Sequence, residues 1–156
     1  MRIKELFEDL GHNYESMPID IPVDVSDRGY EVKSWNPDSG EFEWSLLKKI
    51  VRKSPSEAYQ VSSAAGNFLS SKDHMVWSRI EEGEPGWAFV DELVGTSCEV
   101  LTDSLGMIPA SVTRTKQTID VLDIEIDKNN SYVSNGIVSH NTMYGDPTVT
   151  PGGWLS

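Results

Sequence analysis

The sequence predicts a mostly β protein, and three features of the chain carry that prediction. Short segments of alternating polar and apolar residues recur from residue 30 onward. Turn-forming clusters such as Asn36-Pro37-Asp38-Ser39-Gly40 and Asn135-Gly136 separate them at short intervals. Sustained helical periodicity, internal repeats and low-complexity segments are not found. At 156 residues, with 38% hydrophobic and 24% charged content, the chain suits one ordinary globular domain with a real core.

Residues 2–10 place Ile3, Leu6, Phe7 and Leu10 on one face of a short amphipathic helix, which Gly11 and Asn13 would end. The stretch YEVKSW (30–35) alternates, NPDSG (36–40) turns, and EFEWSLLKKIV returns, which predicts a hairpin. SLLKKIVRK fits a helical period as well, and that window alone does not decide. Ser54-Pro55-Ser56 should interrupt the element in either case. A second hairpin is expected from AYQVSSAAGNFLSSKDHMVW, with Ala65-Gly66-Asn67 at its tip. EEGEPG (81–86) reads as loop and WAFVDEL as a single helical turn. A β-rich run (115–126), a polar turn (127–130) and SYVSNGIVSH follow. The Gly/Pro/Thr-rich end, MYGDPTVTPGGWLS, reads as a tail outside the core.

Several function classes are disfavoured. A formal net charge of −12 is wrong for a nucleic-acid surface. The one basic cluster, Lys48, Lys49, Arg52 and Lys53, reads as a solvated face, with docking of an acidic segment as its alternative. No apolar run approaches the roughly 20 residues of a membrane span, and the start of the chain lacks the apolar region of a secretory signal. The single cysteine, Cys98, excludes an internal disulfide and reads as core. No Cys/His cluster has metal-ligand spacing, so neither a metal nor another cofactor is expected. A reducing cytoplasm fits best.

The chemistry concentrates at His140-Asn141-Thr142. An asparagine side-chain amide can attack its own backbone carbonyl, closing a succinimide and cutting the chain after itself. Unassisted, this is slow. A neighbouring histidine can protonate the scissile amide or polarise its carbonyl near neutral pH, and His140 directly precedes Asn141. The Thr142 hydroxyl is a nucleophile able to carry an ester. His-Asn-Thr taken alone is a common tripeptide, and its wider context must decide.

That context runs without a gap through Val121, Asp123, Tyr132, Asn135, Gly136, Ile137, Val138, His140 and Asn141, and it resembles the two C-terminal splicing blocks of inteins. Upstream, LSSKDHMVW resembles the intein block of form Thr-x-x-His, with Ser71 and His74 in the Thr and His positions. A regular strand would put His74 on the face opposite Ser71 and Asp73, and the family solves this with a bend after the Thr position. YEVKSWNPDSG and WAFVDELVGTSCEVL are similar to two further intein segments, although Thr96-Ser97-Cys98 departs from the usual Gly-Asp of the second. The resemblance spans residues 2 to 142. It implies the Hint fold, a horseshoe-like β structure, with an intein domain over 1–141 and a C-extein over 142–156.

It also implies roles. His74 and Asp123, with Ser71, would activate the amino-terminal step, His140 would assist cyclisation of Asn141, and Thr142 would accept the acyl group. Asn130 departs from the family, which often has histidine there; asparagine cannot transfer a proton at neutral pH, so more of the work would fall on His140. The first intein block, with its Cys, Ser or Ala nucleophile, has no counterpart, and Met1 has neither hydroxyl nor thiol. The favoured expectation is therefore a C-intein that splices in trans with a short N-intein fragment carrying a Cys or Ser nucleophile, joining the fused exteins. The alternatives are an engineered or truncated mini-intein, and a Hint-type domain doing only C-terminal cleavage.

The interval between the Ser71–His74 block and Asp123 is only about 50 residues, too short for an endonuclease insert. MYGDPTVTPGG faintly resembles the DNA-contacting loop of recombination ATPases, which suits a phage or bacterial host. It makes a non-catalytic fragment of such a recombinase the rival from another class. The phosphate-binding G-x-x-x-x-G-K-[ST] motif of that class is not in the sequence.

Overall fold

A computed structural model describes residues 8–9, 11–128, 131–140, 142–143 and 149–151. Twelve strands are found among them. They are β1 (Val23–Asp24), β2 (Tyr30–Asn36), β3 (Glu41–Ser63), β4 (Gly66–Ser70), β5 (Met75–Ile80), β6 (Gly86–Phe89), β7 (Cys98–Thr102), β8 (Gly106–Ile126), β9 (Ser131–Ser134), β10 (Ile137–His140), β11 (Thr142–Met143) and β12 (Val149–Pro151). Three 3₁₀ turns, Tyr14–Ser16, Ser26–Arg28 and Val90–Leu93, complete the regular structure. The helix expected over 2–10 falls largely outside the described residues; only Glu8 and Asp9 are described, and both are helical.

The ladder follows the order β12-β2-β3-β8-β7-β10-β5-β6, with β1 and β4 on β3, β9 on β10 and β11 on β8. Every pairing between these strands is antiparallel. The expected hairpin 30–50 is present, with Trp35 opposite Phe42 across the turn. SLLKKIVRK is strand, not helix.

Ser54-Pro55-Ser56 does not end β3, contrary to expectation. The 23-residue strand continues through it, and the ladder to β8 skips from Lys53/Val121 to Ser56/Ile119. Proline cannot donate to a ladder, and a bulge is where a strand tolerates it. Register shifts also fall between Leu47 and Lys49 and between Glu57 and Tyr59. Each irregularity bends the ribbon, so β3 and β8 curl together into a half-barrel.

The second hairpin turns at Ala64-Ala65, just before the expected tip, with Ser63 opposite Gly66. WAFVDEL splits into β6 and the turn Val90–Leu93. The tail lends two short strands to the sheet: β11 pairs with β8, and β12 pairs with the edge of β2.

The curl encloses two main apolar clusters. One joins Val25, Val32, Leu47, Ile50, Leu122, Ile126 and Tyr132; the other joins Val61, Phe68, Val76, Val100, Val112, Val121 and Ile137. A smaller cluster of Trp35, Val133 and Val138 has Trp77 and Trp87 packed on it. Cys98 is buried in the second cluster, as its composition predicts.

The basic cluster is not a free surface. Lys53 pairs with Asp20 at 3.3 Å and Lys49 with Glu125 at 3.7 Å, while Arg52 donates to the Glu15 and Met17 carbonyls at 2.9 and 3.2 Å. The Lys53 and Arg52 contacts strap the segment before β1 across β3.

The Asn135-Gly136 turn reverses β9 into β10, and both residues have positive φ, 49° and 78°. A Cβ at Gly136 would have ordinary contacts, 3.5 Å to Ala65 Cβ and 3.6 Å to Asp103 Oδ1. The cost of a substitution there is therefore conformational. Gly136→Ala is expected to destabilise the fold by about 1–2 kcal/mol in urea unfolding; an unchanged midpoint contradicts a left-handed Gly136.

Candidate functional site

Asp123 lies where β8 runs between two partners: Val51 of β3 pairs with it on one side and Thr142 of β11 on the other. The backbone of the expected junction is thus in register with the acidic residue. The Asp123 Oδ1 is buried and has no hydrogen-bond partner among the described residues. Burial pushes the carboxyl's pKa up, while the Lys53 ammonium and the Ile124 amide pull it down.

Asp123 opens on a cleft of about 440 Å³ shared with Ser71, Asp73, Lys53, Asp20 and Ser56. Ser71 and Asp73 also line an adjoining cleft with Tyr59 and Arg114. The bulge between Lys53 and Ser56 borders this cleft, with Lys53, Ser54 and Ser56 among its lining.

A turn at Lys72-Asp73 follows β4, and the His74 amide donates to the Ser71 carbonyl at 3.2 Å. The turn resolves the facing problem posed by strand periodicity: Ser71 and Asp73 line the cleft, and His74 points inward. His74 is 0% exposed, with its ring 5.4 Å from Phe68 and 6.5 Å from Tyr132. Its carbonyl accepts from the Val90 amide at 2.9 Å. His74 is therefore beneath the site and does not line the Asp123 cleft.

His140 ends β10, with its backbone paired to Met75 on one side and Ser131 on the other. That register puts it opposite the residue next to His74. Its half-buried ring meets Trp87 in a T-shaped contact, centroids 5.0 Å apart. Asn141 and Asn130 lie outside the described residues.

The structure thus gathers Ser71 and Asp123 on one cleft, lays the Thr142 backbone beside Asp123, and carries His140 to the strand that His74 precedes. Sequence reasoning missed Lys53, Asp20 and Trp87. Lys53 was read only as part of a charge cluster, and no local spacing marks Trp87, which meets His140 through a cross-strand contact. Among the described residues no group of three or more His, Cys, Asp or Glu could hold a metal ion. No helix among them is long and apolar enough to cross a membrane.

No protein-family model matches the chain, and no curated protein matches it either. Solved structures do. A DnaB intein from Synechocystis sp. PCC 6803 superposes with a TM-score of 0.59 at 18% identity, over 74% of this chain and 81% of that one. The PabCDC21-1 intein gives 0.61 at 15% identity, over 89% and 85% of the two chains. The DnaX mini intein from Spirulina platensis gives 0.55 at 19% identity, over 71% and 81%. The fold is that of inteins. At such low identity the likeness is one of backbone architecture, and it bears out the Hint horseshoe expected from the motifs.

The raised pKa of Asp123 makes a stability prediction. The folded state holds the carboxyl proton more tightly than the unfolded chain does. Stability is therefore lost as pH rises from the ordinary value of 3.8 through the raised folded value. Asp123→Asn is expected to melt above the wild type near pH 7, with the gap closing toward about pH 4. Equal midpoints at neutral pH, measured by calorimetry, would count against a buried carboxylate.

Proposed function

We propose that residues 1–141 form a protein-splicing domain and that residues 142–156 are the start of the downstream extein. The observation that carries this reading is the register of the junction: Thr142 lies opposite Asp123, immediately after a strand that ends at His140 beside β5. A strand pair fixes backbone position through main-chain hydrogen bonds, so the register is set independently of the Thr142 side chain's chemistry.

The reaction has four steps. A Cys or Ser nucleophile at the upstream junction attacks the carbonyl before it, and that peptide becomes a thioester or ester. Asp123, with Ser71 on the same cleft, orients and activates the nucleophile, and His74, buried beneath, polarises the scissile amide once the incoming segment's backbone reaches down to it. Burial raises the Asp123 pKa above the ordinary carboxylate value, which favours its holding and passing a proton more than an exposed carboxylate would. The Thr142 hydroxyl then takes over the acyl group, releasing the first nucleophile and forming a branched ester.

Next, the Asn141 side-chain nitrogen attacks its own backbone carbonyl. The Asn141–Thr142 bond breaks, and the proton delivered to the departing amine comes by way of His140. Finally the freed Thr142 amine attacks the ester, and the acyl group moves from oxygen to nitrogen. The whole is a single turnover without cofactor.

The upstream nucleophile, in this proposal, is supplied by a separate short N-intein segment, and splicing proceeds in trans. The open cleft beside Asp123 is where that segment's first residue would be received.

The test mixes the protein with a synthetic N-intein segment fused to a reporter and follows ligation by mass spectrometry. Ligated reporter carrying the sequence from Thr142 onward is the expected product. Release of that downstream sequence without ligation supports C-terminal cleavage alone, and neither product overturns the splicing reading. Asn141→Ala is expected to abolish release from Thr142 onward. His140→Ala should accumulate the branched ester, at a resolution rate lower by about 10²-fold or more; normal release in that variant would contradict a role for His140.

A further inference from the structure

We propose that Trp87 is a positioning residue for His140, held there by a closed ring of contacts through Trp77, Trp35 and Ser131. The inference rests on the reading that His140 assists Asn141.

His140 is the last residue of β10, and pairing with Ser131 and Met75 holds its backbone. Trp87 packs against the imidazole at 5.0 Å with the rings at 67°, a contact that restricts its rotamer. Trp87 itself is on β6, an edge strand joined to the sheet only through β5. An edge strand is a weak platform unless it is braced from behind.

The bracing is continuous. Trp87 is the cross-strand partner of Trp77, and their rings meet at 5.3 Å and 86°. Trp77 packs on Trp35 at 4.6 Å. The Trp35 amide donates to the Ser131 hydroxyl at 3.0 Å, and that hydroxyl donates back to the Trp35 carbonyl at 2.8 Å. Ser131, in turn, is the strand partner of His140. The path therefore leaves His140 by its backbone and returns to it through its ring. Backbone and side chain of His140 are thus held against the same frame from both ends.

The experiment measures first-order release of the segment beginning at Thr142, alongside the NMR shifts of the His140 ring protons. Trp87→Leu is expected to slow release about tenfold, with Trp87→Phe recovering most of the rate because it keeps an aromatic face. The upstream step, followed as hydroxylamine-sensitive ester with the N-intein segment added, should remain within about twofold of wild type in Trp87→Leu. A general structural role would slow both steps together.

In the wild type, the His140 ring protons should show an indole ring-current displacement that vanishes in Trp87→Leu. This shift needs no variant to be detected, so a Trp87→Leu protein that fails to fold still leaves a decisive measurement. Undisplaced His140 protons in the wild type overturn the inference, and so does wild-type release in Trp87→Leu while His140→Ala is slow. Wild-type release in His140→Ala instead overturns the splicing role of His140 on which the inference stands.

Discussion

The pairing of β3 with β8 governs where everything else can be. These two strands, 23 and 21 residues long, exceed the usual five or six several-fold, and a straight antiparallel ribbon of that length would separate its ends far beyond the reach of one site. Three register shifts bend it. Each bend changes which neighbours the strands can recruit: β8 pairs with β7 before the bend and with β11 after it, and β3 pairs with β4 at one end and with β2 at the other. The half-barrel is the outcome of those bends, and the Asp123 cleft opens beside the one at Lys53–Ser56.

The site divides into layers by burial. Ser71, Asp73 and Asp123 reach the cleft, whereas His74 is sealed beneath between Phe68 and Tyr132. His140, half-buried against Trp87, meets a wetter environment. The two histidines are thus suited to different tasks by position alone. Lys53 couples the layers to the strap before β1, since it pairs with Asp20 and also lowers the pKa that burial raises at Asp123.

Much of the architecture was legible because local rules govern it. Tyr30–Asn36 and its return strand follow from alternation and from a Pro/Asp/Gly turn, and β9–β10 follows from Asn135-Gly136, whose positive φ values are those a tight hairpin needs. The passage of β3 through Pro55 was not legible. A proline breaks a strand by local rules, but a bulge supported by pairing on either side keeps the chain extended. The basic cluster misled for a related reason. Charge spacing along a sequence does not show which acidic residues and carbonyls a distant segment will bring across it.

The sequence by itself determined the mostly β class and the principal hairpins, because composition, alternation and turn chemistry are properties of neighbouring residues. Only the tertiary structure decided that Thr142 lies against Asp123, that the Lys72-Asp73 turn leaves Asp73 exposed and His74 buried, and that Trp87 packs against His140. Those relations depend on the register of strands far apart in sequence. Register is set by the whole pattern of core burial and bulges, where a shift of one residue would turn every side chain to the other face.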